Sequence, residues 1–295
     1  MAFDFQTQTE KAAVLLEALP YLQKFRGETF LIKVGGSAMD NRELVKQLLR
    51  DVVFLEVAGI NPVLVHGGGK AISAAMKESG LEATFVSGLR VTTDDAMEIV
   101  EKTLSSEINP GLVEDILHYG GKALGVPGNR AFIGERITGW SEDESKEVSL
   151  GRVGRVTGFD LTEIQAALIE NTVPVVSPIA REKDTGLSLN VNADLAASAL
   201  ASELKAAKLV YLSDVLGVMQ DPSKPETLIH SIKADAVEGM IADGTIGGGM
   251  IPKLRSSVEA LDAGVGKVHM IDGRVSHTLL LEIFTKEGIG TEIVK

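Results

Sequence analysis

FLIKVGGSAM, residues 30–39, is a short apolar strand with a lysine inside it and two glycines at its end. A lysine at position 33 of such a run costs desolvation energy unless its ammonium reaches water or an anion, as it can at the carboxyl end of a parallel strand. Gly35 and Gly36 can expose backbone N–H groups at that same end and form an anion-binding nest. A structural turn with a lysine reaching out to solvent satisfies the stretch as well.

VLVHGGGKAI, residues 63–72, repeats the arrangement at a second strand end, with Gly67, Gly68 and Gly69 leading into a helix. Three consecutive glycines lose entropy on folding, and close approach of backbone to a ligand compensates for it. His66 has no Ser or Asp constellation beside it, so a buried packing or hydrogen-bonding role is expected rather than a catalytic one.

Further β-rich runs follow at Val173–Ser177, Leu209–Ser213 and Val268–Ile271. Helix-length segments lie between them, at Arg42–Val57, Lys70–Ser79, Asp94–Ser106, Leu161–Asn171, Asp194–Lys205 and Ile251–Ala263. That alternation predicts βαβ units around an open, mainly parallel sheet, an α/β protein. The region Gly128–Phe159 breaks the rhythm, and its pieces Ala131–Ile133 and Arg152–Val156 predict hairpins at the rim of the sheet.

Two more clusters carry polar chemistry. LNVNADLAASAL, residues 189–200, places Asn190, Asn192 and Asp194 on one side if extended and puts Asn190 and Asp194 on a shared face if helical; a third reading makes Asn192 the cap of a helix that starts after it. GTIGGGMIPKL, residues 244–254, sets Gly247, Gly248 and Gly249 before a helix with Lys253 one turn inside, suited either to phosphate or to plain capping. At the amino terminus, residues 7–25 read as an amphipathic helix capped by Thr7 with Glu10 reaching back, striped by Leu15, Leu19 and Leu22, and kinked or split at Pro20.

The remaining composition excludes more than it assigns. Its 295 residues permit two modest domains or one large one. A formal charge of -12 without a dense basic patch argues against a nucleic-acid partner. With no cysteine there is no disulfide scaffold, thiol nucleophile or thiolate-held metal, and the five histidines show no ligand spacing. Neither a secretory leader nor a bilayer-length apolar run is present, so a cytoplasmic protein without a membrane partner is expected. Walker A and dinucleotide glycine spacings both fail, so a bound nucleotide would use separate glycine turns.

KVGGSAM, HGGGKAI, SGLRVT, NVNAD, SDVLGV and GGGMIPK occur in an order that resembles the amino-acid kinase family, over most of residues 30–295. Within it the chain is similar to the arginine-inhibited, hexameric members that act on N-acetyl-L-glutamate. The resemblance implies a three-layer α/β/α sandwich and ATP-dependent phosphorylation of the substrate's γ-carboxylate in arginine biosynthesis, with magnesium held mainly by the nucleotide phosphates and no protein metal site. It implies an oligomerisation helix at residues 1–26, an acceptor-binding and dimerisation half at 27–180, and an ATP-binding half with an effector region at 181–295.

By the same resemblance Lys33, Asp194 and Lys253 are the catalytic set, with Asp194 orienting the lysines. Gly68, Gly69, Arg90 and Asn190 belong to the acceptor. Gly35, Gly36, Ser213, Asp214, Gly248, Gly249 and Met250 belong to the nucleotide. Tyr21, Glu282, Gly288 and Gly290 belong to an L-arginine site. A homohexamer built as a trimer of dimers is expected, and a PII signalling partner is known only in some relatives. The alternatives are another phosphotransferase of the family and a catalytically silent small-molecule sensor.

Overall fold

The computed structural model describes residues 5–141, 145–285 and 288–295, without the side chains of residues 5–8, 10, 11, 14, 37 and 38. An eight-stranded sheet runs through it in the order Ser231–Lys233, Thr291–Val294, Lys267–Asp272, Lys208–Ser213, Thr29–Val34, Asn61–His66, Val173–Val176 and Ala123–Val126. Neighbours are parallel except Thr291–Val294 against Lys267–Asp272. Helices cover both faces, so the architecture is a three-layer α/β/α sandwich around a mainly parallel sheet.

Strand alternation decides which side chain meets which layer. Phe30, Ile32 and Val34 face one layer with Leu64, Val210 and Leu212, packing on the helices Arg42–Val57, Asn109–His118 and Thr278–Phe284. Leu31 faces the other with Val63, Val65, Leu209 and Tyr211, packing on Ala193–Glu203 and Met250–Asp262. Lys33 lies in register with Val65 and Tyr211. Its parity therefore sends its side chain into the second layer, towards the helices that carry Asp194 and Lys253.

Several expectations are corrected in extent. The amino-terminal helix Phe5–Phe25 is not split at Pro20. One lost N–H is tolerated where the following turn is anchored, and Tyr21 and Phe25 pack on Phe284 and Phe30 at ring separations of 6.4 and 5.1 Å. The Thr7 and Glu10 side chains lie outside those described. The helix at Asp94 is α-helical only to Glu101; it becomes a π-helix over Lys102–Ile108 and leads directly into Asn109–His118. The rim hairpin is longer than its two apolar pieces suggest: Phe132–Ser141 and Lys146–Phe159 pair antiparallel and close with Ile179–Glu182 and Ser188–Val191 into a small barrel. Among the described residues no helix is long and apolar enough to cross a membrane.

Candidate active site

At the carboxyl ends of the central strands the Asp194 carboxylate bridges two lysines. Lys33 Nζ lies 2.7 Å from its Oδ1 and Lys253 Nζ 3.1 Å from its Oδ2. Asp194 owes its place to a cap: Asn192 Oδ1 accepts the N–H groups of Asp194 and Leu195 at 2.9 and 3.2 Å, a contribution of about 1 kcal/mol to the helix Ala193–Glu203. The Asn–Asn–Asp trio is therefore divided. Asn190 lies in the strand Ser188–Val191, Asn192 caps, and Asp194 stands in the first helical turn.

Burial of Asp194 alone would push its pKa up, but the paired charges and hydrogen bonds of Lys33 and Lys253 outweigh it and hold the carboxyl below its usual range. Sequence reasoning missed Tyr211, whose ring lies 5.6 Å from the Lys253 ammonium and whose hydroxyl reaches Asp194 O at 3.4 Å. Its even spacing from Leu209 along the strand was the available signal.

A cleft of about 220 Å³ opens beside this bridge, lined by Lys33, Gly36, Gly67, Gly68, Gly69, Arg90, Asn190 and Asp194. The glycines have different reasons to be there. Gly36 takes a left-handed φ of 61°. A Cβ on Gly67 would sit 3.4 Å from Gly35 Cα, so the two glycine turns approach backbone to backbone. Arg90 is not a surface cation: it is buried, its guanidinium lies 4.7 Å from the Phe85 ring centre, and Nη2 donates to Gly69 O and Ser73 Oγ at 2.8 and 2.9 Å. Asn190 donates to Thr92 Oγ1 at 3.1 Å.

Not every expected residue joins the cleft. Ser213 ends the Lys208–Ser213 strand with its Oγ 3.4 Å from Val215 O, Asp214 is exposed, and neither lines the cleft. Gly248, with φ of 55°, and Gly249 lead into the helix that begins at Met250, one turn before Lys253. His66 is fully buried, and its hydrogen bonds run to Gly67 O and to Asn109, a residue for which the sequence offered only the helix-start signal of Pro110.

A second cavity of about 620 Å³ brings Tyr21, Glu282 and Gly288 together with Lys24, Lys208 and His269. Gly290 stands behind it. Glu282 Oε2 accepts the N–H groups of Ile289 and Gly290 at 2.7 and 3.0 Å, while Oε1 meets His269 Nδ1 at 2.6 Å. Lys208 Nζ lies 2.7 Å from the other ring nitrogen, and burial, followed by the Lys267 charge, lowers its pKa to about 8.

The first cleft can hold an anion. It offers the Lys33 ammonium, the Arg90 guanidinium and glycine backbone, and its carboxylate is already engaged by Lys33 and Lys253. Among the described residues no cluster of three His, Asp or Glu side chains is placed to hold a metal ion.

The sequence profile described as the amino acid kinase family matches residues 28–272. An acetylglutamate kinase of Akkermansia muciniphila is 59% identical over 286 residues, 97% of this chain and 96% of that protein. One of Methanocaldococcus jannaschii is 45% identical over the whole of both chains. Among solved structures, an N-acetylglutamate synthase from Neisseria gonorrhoeae, complexed with coenzyme A and N-acetyl-glutamate, superposes with a TM-score of 0.83 at 23% identity, over 96% of this chain and 63% of that one, a likeness of fold alone.

Proposed function

The chain belongs to the amino acid kinase family, and from that premise we propose that it transfers the γ-phosphoryl group of ATP to the γ-carboxylate of N-acetyl-L-glutamate, giving N-acetyl-L-glutamyl 5-phosphate and ADP for arginine biosynthesis. The observation that carries the reading is the Lys33–Asp194–Lys253 bridge beside two glycine turns. The acceptor is ionised at neutral pH, so no general base is required. A carboxylate oxygen bonds to the γ-phosphorus as the bond to the ADP oxygen breaks, and the chain's task is to bring two anions together. Lys33 and Lys253 neutralise the transferring oxygens, Asp194 spaces and orients both ammonium groups, and Gly36, Gly68 and Gly69 offer N–H donors.

Arg90 and Asn190 bind the acceptor, Arg90 by its α-carboxylate. Gly35, Ser213, Asp214, Gly248, Gly249 and Met250 serve the nucleotide. The donor set suits phosphate oxygens rather than a cation, so magnesium would be held mainly by the nucleotide and would offset its charge. Residues 27–180 form the acceptor and dimerisation half and 181–295 the nucleotide half.

L-Arginine is the inhibitor assigned to the second cavity, where Tyr21, Glu282 and Gly288 supply an aromatic face, a carboxylate and backbone, and Gly290 holds the carboxylate from behind. The exposed Leu15, Leu16 and Leu19 on the amino-terminal helix suit its use between subunits of a cytoplasmic hexamer. A substrate panel tests the activity: ADP release with N-acetyl-L-glutamate is expected, and equal release with L-glutamate, aspartate or carbamate would replace it with another activity of the family. Mass measurement in solution tests the hexamer, which a simple dimer would remove.

A further inference from the structure

Behind the cleft lies a buried polar chain that the phosphoryl-transfer reading leaves unused. His66 closes the Asn61–His66 strand on the parity of Leu64, away from the Lys33 face. Its Nδ1 is 2.9 Å from Gly67 O, and its Nε2 is 3.2 Å from Asn109 Nδ2, which lies 2.8 Å from Val175 O.

The carbonyls at the two ends can only accept. Val175 O therefore faces the NH2 of Asn109, and Gly67 O faces a protonated Nδ1. A neutral ring then keeps Nε2 as acceptor for the second Asn109 N–H, and each contact has one donor and one acceptor. A doubly protonated ring would set Nε2–H against that N–H. Burial works in the same direction, lowering the ring's pKa to about 4.

The Gly67–Gly68 peptide is trans, so its C=O and N–H point in opposite directions. Holding Gly67 O on the imidazole turns the Gly68 N–H away from the ring, to the side of Lys33 and the cleft. Gly68 is also tightly packed: a Cβ there would meet Leu104 Cδ2 and Ile108 Cδ1 at 2.6 and 2.7 Å, both on the π-helical segment that leads into Asn109.

We propose that His66 and Asn109 are positioning residues that hold the Gly67 carbonyl back and so aim the Gly68 N–H at the transferring phosphoryl oxygens. The role rests on the phosphoryl-transfer reading above. A donor fixed in advance needs no reorganisation as charge develops.

Histidine-selective 15N NMR, with His66 assigned by the signal lost in His66→Asn, reads the first half directly. A neutral, Nδ1-protonated ring across the neutral pH range is expected, and an Nε2-protonated or titrating ring would overturn the proposal. In kinetics, folded His66→Leu should lose about 10²-fold in kcat with little change in either KM. His66→Asn, whose amide can take the place of Nδ1 and donate to Gly67 O, should recover about tenfold of that. Equal kcat in the two variants, at whatever Tm, would reduce His66 to a structural residue. If His66→Leu does not fold, Asn109→Leu takes its place: it leaves Nδ1–H on Gly67 O but frees the ring at Nε2, and should lower turnover about tenfold, unchanged kcat overturning the role. Absence of phosphoryl transfer by the unsubstituted protein with the tautomer intact would remove the kinase reading and the positioning role while leaving the loop geometry standing.

Discussion

Gly35 leaves empty the space through which the Lys33 side chain turns back: a Cβ on Gly35 would lie 2.9 Å from Lys33 Cε and closer still to Nζ. The backbone there is extended, with φ of -170°, so any residue can adopt it. Gly35→Ala should therefore change stability by less than about 1 kcal/mol while displacing the ammonium, with a loss of about tenfold or more in kcat. Tm and kcat measured together check this, and an unchanged kcat would show that Lys33 acts from elsewhere.

Asp194 is the counter-ion of two lysines whose side chains are 10% and 15% exposed. In Asp194→Asn these ammonium groups face each other without a carboxylate, at a cost of about 3 kcal/mol in stability and with loss of turnover. Adding Lys33→Met to that variant should restore stability but not activity. A double-mutant cycle by chemical denaturation decides it; additive losses would mean that the three residues are not coupled.

Asp51 lies on the opposite layer, 1% exposed, with its Oδ1 2.7 Å from His277 Nδ1. Burial raises its pKa from 3.8 to about 6, against the opposing pull of His277. The folded state therefore holds the proton more tightly than the unfolded chain. Its contribution is fully present below pH 3.8 and is lost as pH rises through about 6, at most about 3 kcal/mol. Asp51→Asn should flatten that part of the pH–stability curve, and an identical curve in the variant would show that Asp51 does not titrate there.

Glu282 accepts two backbone N–H groups and faces His269 at the wall of the second cavity. Glu282→Gln keeps the shape and removes the charge that a guanidinium would meet. Inhibition by L-arginine should weaken about tenfold or more, with kcat in its absence little changed. Arginine titration of both proteins provides the comparison; equal inhibition would take Glu282 out of the effector site.

Local pattern carried most of the fold. Arg42–Val57 forms where its spacing places it, beginning at the Asn41 cap, and the five principal strands fall within two residues of the apolar runs that announce them. The barrel was not legible, because closing Phe132–Ser141 onto Ile179–Glu182 is a long-range pairing that no local period encodes. The same limit separates the parts of the site. Lys33 declares itself as a charge inside an apolar strand, whereas Asn109 acquires its meaning only from His66 and Val175, which folding brings to it. Ser213 and Asp214 were assigned to the nucleotide by resemblance, and they stand at a strand end outside the cleft that Lys33 lines.

Single-turnover rapid quench with ATP and N-acetyl-L-glutamate, trapping the acyl phosphate as its hydroxamate, measures the step that Lys33 and Lys253 are assigned to serve. The unsubstituted protein should form the acyl phosphate, and folded Lys33→Ala and Lys253→Ala should each form it about 10²-fold more slowly, or slower still. Formation at an unchanged rate in either variant would contradict phosphoryl transfer between the two ammonium groups.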